Sequence, residues 1–353
     1  MDLSDFQYDL PQEFIGQKAI EPRDSCRLLV VNRKTKQISS HIFRDLVKIL
    51  DKNIVLVIND TKVFPARLYG RKETGGKLEI LLLSQTGVDS YRAIAKGKLH
   101  PNIKIIFSED FFAIIEQIYE DGEIELKFNL SGSDLFDQID KIGHTPLPPY
   151  IHSNAKEEIL REQYQTVYAR EKGSAAAPTA GLHFTEKLLS DLKEKGIEVE
   201  KVTLHVGLGT FKPVTPEQIT SKTLHTERYF LTEESAMRLN MAKKEGKKII
   251  AVGTTSCRLL ETLSDKAGEI HSGQGETNIF IQPGYRYKFV DGLITNFHLP
   301  STSLLMLVSA LTLKPNTFEN LVHFQDSLIG RAYQEAIKQK YKFFSFGDAM
   351  LIL

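Results

Sequence analysis

Apolar and polar positions alternate in two different textures along this chain. Cys26 to Val31 reads as a short apolar strand, Asn32 to Lys36 as a turn and Gln37 to Ile42 as a second strand. A helix is expected over Phe43 to Leu50. Ile54 to Ile58 is apolar without a break, the pattern of a strand buried on both faces. It ends in Asn59-Asp60-Thr61-Lys62, and polar residues at the end of a buried strand are where α/β folds place ligand groups.

From Pro65 the texture changes to short segments at hairpin spacing: Ala66 to Tyr69, Lys77 to Leu83, Tyr91 to Ala95, Lys104 to Phe107, Phe112 to Tyr119 and Glu123 to Asn129. Turns at Gly75-Gly76, Gly87, Pro101-Asn102 and Asp121-Gly122 separate them, the signature of a small barrel or sandwich. The Pro-rich stretch Gly143 to Tyr150 closes it. Beyond lie a polar helix-like stretch (Lys156 to Ala169), strands at Val199 to Val206 and Lys248 to Gly253, and helices at Glu233 to Glu245 and Cys257 to Ser264. Thr277 to Gln282 and Leu293 to Thr295 read as strands, Ser303 to Leu311 and Gly330 to Lys340 as helices. The expected fold class is α/β: a layered main domain of residues 1–65 and 146–353, discontinuous, with an inserted small all-β barrel domain at 66–145.

Between the polar helix-like stretch Lys156 to Ala169 and a second one, Thr185 to Gly196, runs GSAAAPTAGLHFT, Gly173 to Thr185. Residues this small cannot build a core; they let backbone approach either packed backbone or a flat ligand. Thr185 has the character of an N-cap, with Glu186 in the first turn and Gly196 as the stop. The run is either a tightly packed crossover or a place for chemistry.

Composition narrows the function. Of 353 residues, 41% are hydrophobic and 25% charged, with Lys plus Arg equal to Asp plus Glu at 45 each. Two domains are expected at this length, and a polyanion would have to be met by a local patch. The two cysteines, Cys26 and Cys257, are isolated, which disfavours disulfide scaffolds and zinc sites and suits a reducing compartment. No stretch resembles a signal peptide or is long enough to span a bilayer, so the expected location is cytoplasmic, without membrane contact.

Candidate chemistry sits at element junctions. His183, His205, His225 and His298 lie in short motifs, none with metal-ligand spacing, so no metal is expected. His205 falls inside a strand pattern and reads equally as a core group; His183 and His298 suit proton transfer. Gly207-Leu208-Gly209 lacks the third glycine of a dinucleotide fingerprint. Gly253-Thr254-Thr255-Ser256, between a strand and the helix carrying Arg258, is either an anion-binding turn or an ordinary cap. Arg67, Arg71, Lys72 and Lys77 on the first hairpin of the insertion are candidate phosphate contacts, with Lys243 to Lys248 a second patch.

Assembled in order, DFQYDLP, NDTKVFPARL, TGGKLEILLL, PLPPYI, YQTVYA, GSAAAPTAGLHFT, TLHVGLGTFKPV, VGTTSCRLLE, DGLITNFHLP, MLVSAL and FFSFGDAMLI closely resemble the tRNA ribosyltransferase-isomerase family of queuosine synthesis, from Asp5 to Ile352. The resemblance implies an α/β domain with an inserted β-barrel. It also implies S-adenosylmethionine as substrate rather than cofactor, and tRNA as partner. The ribosyl part passes to 7-aminomethyl-7-deazaguanine at the wobble position, giving epoxyqueuosine with release of adenine and methionine. No further cofactor is implied, and a monomer is expected. The chain departs from the family at Lys62, at Thr302-Ser303, at Leu311 and across Thr312 to Ile329, which looks like an insertion.

Such chemistry needs a base for the acidified C5′ hydrogen, an acid for departing adenine and a base for the amine. The expected catalytic residues are His183 as base, with His298 and His205. The expected substrate contacts are Ala176, Pro178, Gly181, Gly207, Gly209, Thr254, Thr255, Arg258, Asn296 and Asn59, the methionine carboxylate resting on an amide nest or on Arg258. A methyltransferase would bind the same sulfonium, but its glycine-rich loop after the first strand is not found. A non-catalytic RNA-binding module would need more surplus Lys and Arg.

Overall fold

A computed structural model of the chain describes residues 3–207 and 214–353. Its strands are β1 (Arg27–Val31), β2 (Ile38–Ile42), β3 (Ile54–Asn59), β4 (Thr61–Val63), β5 (Arg67–Lys72), β6 (Lys77–Gln85), β7 (Ser90–Ala95), β8 (Lys104–Ser108) and β9 (Phe111–Ile118). They continue as β10 (Ile124–Phe128), β11 (Glu171–Ser174), β12 (Glu198–Leu204), β13 (Thr223–Leu231), β14 (Lys248–Val252), β15 (Gly273–Ile279), β16 (Gly292–Asn296) and β17 (Ala349–Ile352).

A nine-stranded sheet forms the main layer in the order β15-β13-β12-β3-β14-β16-β17-β1-β2. Its centre, β12-β3-β14-β16, is parallel. The period of two explains the layering. Val55 and Val57 of β3, Ile249 and Ala251 of β14 and Met350 and Ile352 of β17 face one core, with helices Gly253–Leu263, Ser303–Thr312 and Leu328–Lys338. Leu56 and Ile58, Ile250 and Val252, and Ala349 and Leu351 face the other, with helix Glu186–Glu194. Unbroken apolar runs in the sequence are therefore strands covered on both sides.

Strands β5 to β10 close into a six-stranded barrel, ordered β10-β7-β6-β5-β8-β9. Alternate residues Leu78, Ile80 and Leu82 of β6 point into its core with Ile124 and Leu126 of β10. That stretch is not all β: helix Gly132–Ile142 sends Leu135 and Ile139 into the barrel core. The four-residue spacing of those two is a helical signal that hairpin spacing obscured.

Several elements differ from expectation. Gly253-Thr254-Thr255-Ser256 is the first turn of helix Gly253–Leu263 rather than a loop before it. Packing against the sheet overrides the poor helix propensity of Gly and β-branched residues. Helix Lys156 to Ala169 contracts to Glu157–Gln163, and Phe43 to Leu50 divides into a 3-10 turn, Phe43–Asp45, and Leu46–Ile49. β13 was hidden because a buried position on it, Glu227, is charged, which masks the alternation of a half-buried strand. Thr185 does cap its helix, accepting from Leu188 N at 3.1 Å while donating to Asp24 at 2.8 Å.

Candidate active site

The parallel strands deliver their carboxyl ends to one edge of the sheet, where α/β proteins form ligand crevices. Asn59 ends β3, His205 follows β12, Thr254 and Thr255 follow β14, and Asn296 ends β16 just before His298. Two cavities open there. The larger, of about 620 Å³, lies between this edge and the barrel, with His205, Gly207, Glu227 and Arg258 on one wall and Gln85 and Arg92 on the other. The smaller, of about 170 Å³, is lined by Pro178, Thr254, Thr255, Asn296 and His298, with Tyr150 and Phe344. Those two rings lie 4.8 Å apart between centroids. Leu304 lines both cavities, so they adjoin.

The three expected histidines occupy different settings. His205 is half-buried and its Nδ1 bonds Thr61 Oγ1 at 2.9 Å, leaving Nε2 without a partner among the described residues. Gly173 makes room for this ring: its φ is +146°, and a Cβ there would meet imidazole atoms at 2.8–3.0 Å. Burial and the Arg228 charge lower the His205 pKa, so it is a neutral imidazole near pH 7. His298 lines the smaller cavity; its Nε2 meets Thr295 Oγ1 at 2.8 Å and its Nδ1 has no partner among the described residues. Burial pulls its pKa down to about 3.

His183 does not face either cavity. Asn296 Nδ2 donates to its Nε2 at 2.9 Å, so Nδ1 carries the proton and points at Cys26 Sγ, 3.2 Å away. Asn296 is fixed in turn by Thr179 at 3.1 Å and Phe344 O at 3.1 Å. With both ring nitrogens engaged behind the wall, His183 orients Asn296, and the base role expected of it has no free nitrogen to perform it.

Burial of neutral imidazoles makes folding pH-dependent. His183, pulled down to about 4 mainly by burial, and His298 both bind protons more readily unfolded, near 6.5, than folded. Their depressed folded values mean that stability is fully present above about pH 6.5 and is lost as pH falls toward the folded values. The loss should reach on the order of 1.4 kcal/mol per pH unit per histidine. Asp60 and Asp348, whose pKa values burial raises, act in the opposite sense. Urea midpoints between pH 7.5 and 4.5 should therefore fall less steeply for His183→Asn than for the unaltered chain; parallel slopes would remove His183 from the account.

The expected substrate contacts divide as well. Pro178, Thr254, Thr255 and Asn296 line the smaller cavity, Gly207 and Arg258 the larger. Ala176 is fully buried in the core, and a Cβ on Gly181 would lie 2.0 Å from the Tyr168 hydroxyl, so both serve packing. Asn59 is also fully buried: its side chain bonds Leu204 N and O at 3.0 and 2.9 Å, Thr61 N at 3.2 Å and Thr255 Oγ1 at 3.3 Å. It pins the strand ends and has no capacity left for substrate. Gly209 lies outside the described residues.

A family model for the queuosine biosynthesis protein matches residues 3–352. The chain belongs to that family. Relatives called S-adenosylmethionine:tRNA ribosyltransferase-isomerase in Symbiobacterium thermophilum and Clostridioides difficile are 48% and 46% identical to it, each pair covered over 100% of both chains. The crystal structure of an S-adenosylmethionine tRNA ribosyltransferase from Thermotoga maritima is 34% identical and aligns over 99% of this chain and 100% of its own, with a TM-score of 0.54. In this queuosine biosynthesis protein, the sequence reading missed Glu227, which is 4% exposed and pairs with Arg258. No local pattern marks it, because its partner lies 31 residues away.

The basic hairpin of the same family member is set apart from the cavities. Arg67 is engaged by Glu79 and by Leu147 O, and so is a structural cation. Lys72 donates to Lys98 O. Arg71 and Lys77 border an open groove with Tyr69 and Phe107. Lys77 begins β6 and the cavity-lining Gln85 ends it, so the groove lies roughly 25 Å along the strand from the cleft.

Proposed function

We propose that this chain is an S-adenosylmethionine:tRNA ribosyltransferase-isomerase. It moves the ribosyl part of S-adenosylmethionine onto 7-aminomethyl-7-deazaguanine in tRNA, leaving epoxyqueuosine, adenine and methionine. The observation that carries this is a full-length match, at 46–48% identity, to relatives bearing that name. Two adjoining cavities of unlike character suit a reaction with two large substrates. The smaller, with Tyr150, Phe344 and Pro178, fits the flat purine; the larger, between barrel and sheet edge, admits the modified base and the amino-acid end.

In this reading His205, with a free Nε2 in the larger cavity, takes the proton from C5′. His298 handles the proton on departing adenine in the smaller one. A neutral imidazole is the form a base needs, and burial supplies it. The sulfonium provides the electron pull, so the reaction proceeds without a resident metal or added cofactor. Among the described residues no group of three His, Cys, Asp or Glu is placed to hold a metal ion. Residues 66–145 act as an inserted domain that forms the outer wall of the larger cavity, while Arg71 and Lys77 hold tRNA phosphates at a distance from it. The protein works in this reading as a cytoplasmic monomer, and no described helix is long and apolar enough to cross a membrane.

Mass spectrometry of tRNA carrying the aminomethyl base, after incubation with S-adenosylmethionine, decides the matter. A ribosyl-derived adduct with one adenine and one methionine released per tRNA is expected. A methyl adduct, or no adduct, would refute the assignment.

A further inference from the structure

One wall of the larger cavity carries a guanidinium that the described fold leaves incomplete. Arg258 stands on helix Gly253–Leu263, is 5% exposed and lines the cavity. Its Nη1 pairs with Glu227 Oε2, and its Nε donates to Ile279 O at 3.2 Å. Its Nη2 is buried and has no partner among the described residues. A buried donor left unmade is costly, and here two contacts hold the fork so that Nη2 cannot turn to find a bond elsewhere.

The chemistry of the surrounding wall says what completes it. Arg92 pairs with Glu123 at 3.4 Å and Arg228 with Glu276 at 3.6 Å, and Lys172 and Asp121 add one charge of each sign, so the cavity wall carries as many cations as carboxylates. A free anion would meet as much repulsion as attraction there. A group carrying both signs meets no net repulsion and finds an unused donor at Arg258 Nη2, while Glu227 is already engaged by Arg258 and by Gly207 N at 3.3 Å.

We propose that Arg258 Nη2 receives the α-carboxylate of the amino-acid end of the sulfonium substrate. The proposal rests on that substrate being S-adenosylmethionine and names the end of it that the protein grips. Arg258 and His205 line one cavity, so holding the amino-acid end fixes where the sulfonium and its C5′ lie relative to the base.

Isothermal titration with S-adenosylmethionine and with its decarboxylated analogue tests this. The unaltered protein should bind the carboxylate-bearing compound about 10- to 100-fold more tightly, the range for a charge-assisted bond. Arg258→Met should abolish that preference. Because this variant strands Glu227, the double variant Arg258→Met with Glu227→Met, which removes both buried charges, should show the same loss in a folded protein. Equal affinities in the unaltered protein, or a preference surviving in the double variant, would overturn the proposal. A carboxylate preference without any tRNA adduct would instead refute the ribosyl-transfer reading and leave the grip on the amino-acid end standing. Binding of neither compound would remove both.

Discussion

Replacing His205 by Asn should leave S-adenosylmethionine binding within a few-fold of normal and cut turnover by about 10²- to 10⁴-fold, the range for a positioned acid–base group. His205 combines what His183 lacks: a free Nε2 in a cavity large enough for two substrates, with Nδ1 held at 2.9 Å by Thr61 so that the ring cannot flip away. Since burial and Arg228 depress its pKa, the acidic limb of the rate profile should fall below pH 6.5 rather than above it. Exchange of C5′ hydrogens with deuterated water should be slowed to the same degree as turnover. The control is His183→Asn, which should lower stability more than rate. Near-native turnover in His205→Asn, with undiminished exchange, would transfer the base role to His298.

The largest expected loss of stability comes from Glu261, a fully buried carboxylate on helix Gly253–Leu263. Its Oε1 accepts from Phe289 N and Val290 N at 3.0 and 2.9 Å, and its Oε2 from Lys288 N at 2.9 Å and the Tyr285 hydroxyl at 3.0 Å. One side chain thus satisfies three successive backbone donors in the loop that leads into β16, the strand that ends at Asn296. Glu261→Ala leaves all three without partners. At about 1–3 kcal/mol for each of the three groups left unsatisfied, the total should be about 3–9 kcal/mol, read from the urea midpoint. Glu261→Gln should fall between, since it keeps one acceptor but turns an NH₂ toward backbone N–H groups. A loss below about 1 kcal/mol in Glu261→Ala would mean that the loop finds other acceptors. The same variants should also weaken substrate binding, because Thr254, Thr255 and Arg258 ride on that helix.

What the sequence settled by itself is local. Ile54 to Ile58 announced a strand covered on both faces because every one of its side chains is apolar, and the structure buries all of them. The paired glycines and Asp-Gly turns between Ala66 and Asn129 announced hairpins because few other residues take the backbone conformations such turns need. Thr185 announced a cap through its hydroxyl and the helix that follows. The small-residue run announced close approach, and Gly173 against His205 and Gly181 against Tyr168 are that approach. Whether the neighbour would be protein or ligand was beyond it.

Tertiary structure alone decided the partners. His183 meets Cys26 across 157 positions and Asn296 across 113, contacts that exist only because β16, which carries Asn296, and β1, which Cys26 leads into, lie near each other in one sheet. That order engaged both ring nitrogens of His183 and left His205, whose strand pattern reads equally as core, with its Nε2 unpartnered among the described residues on the wall of the larger cavity. Glu227 and Glu261 gave no local signal either. A buried charge interrupts the apolar alternation by which strands and helices are recognised, and its reason for being buried, an arginine or a row of backbone amides, lies on another element. Periodicity sums over neighbours in sequence, whereas a hydrogen bond is made by whichever groups the folded sheet brings within about 3 Å, and chain separation carries no information about that.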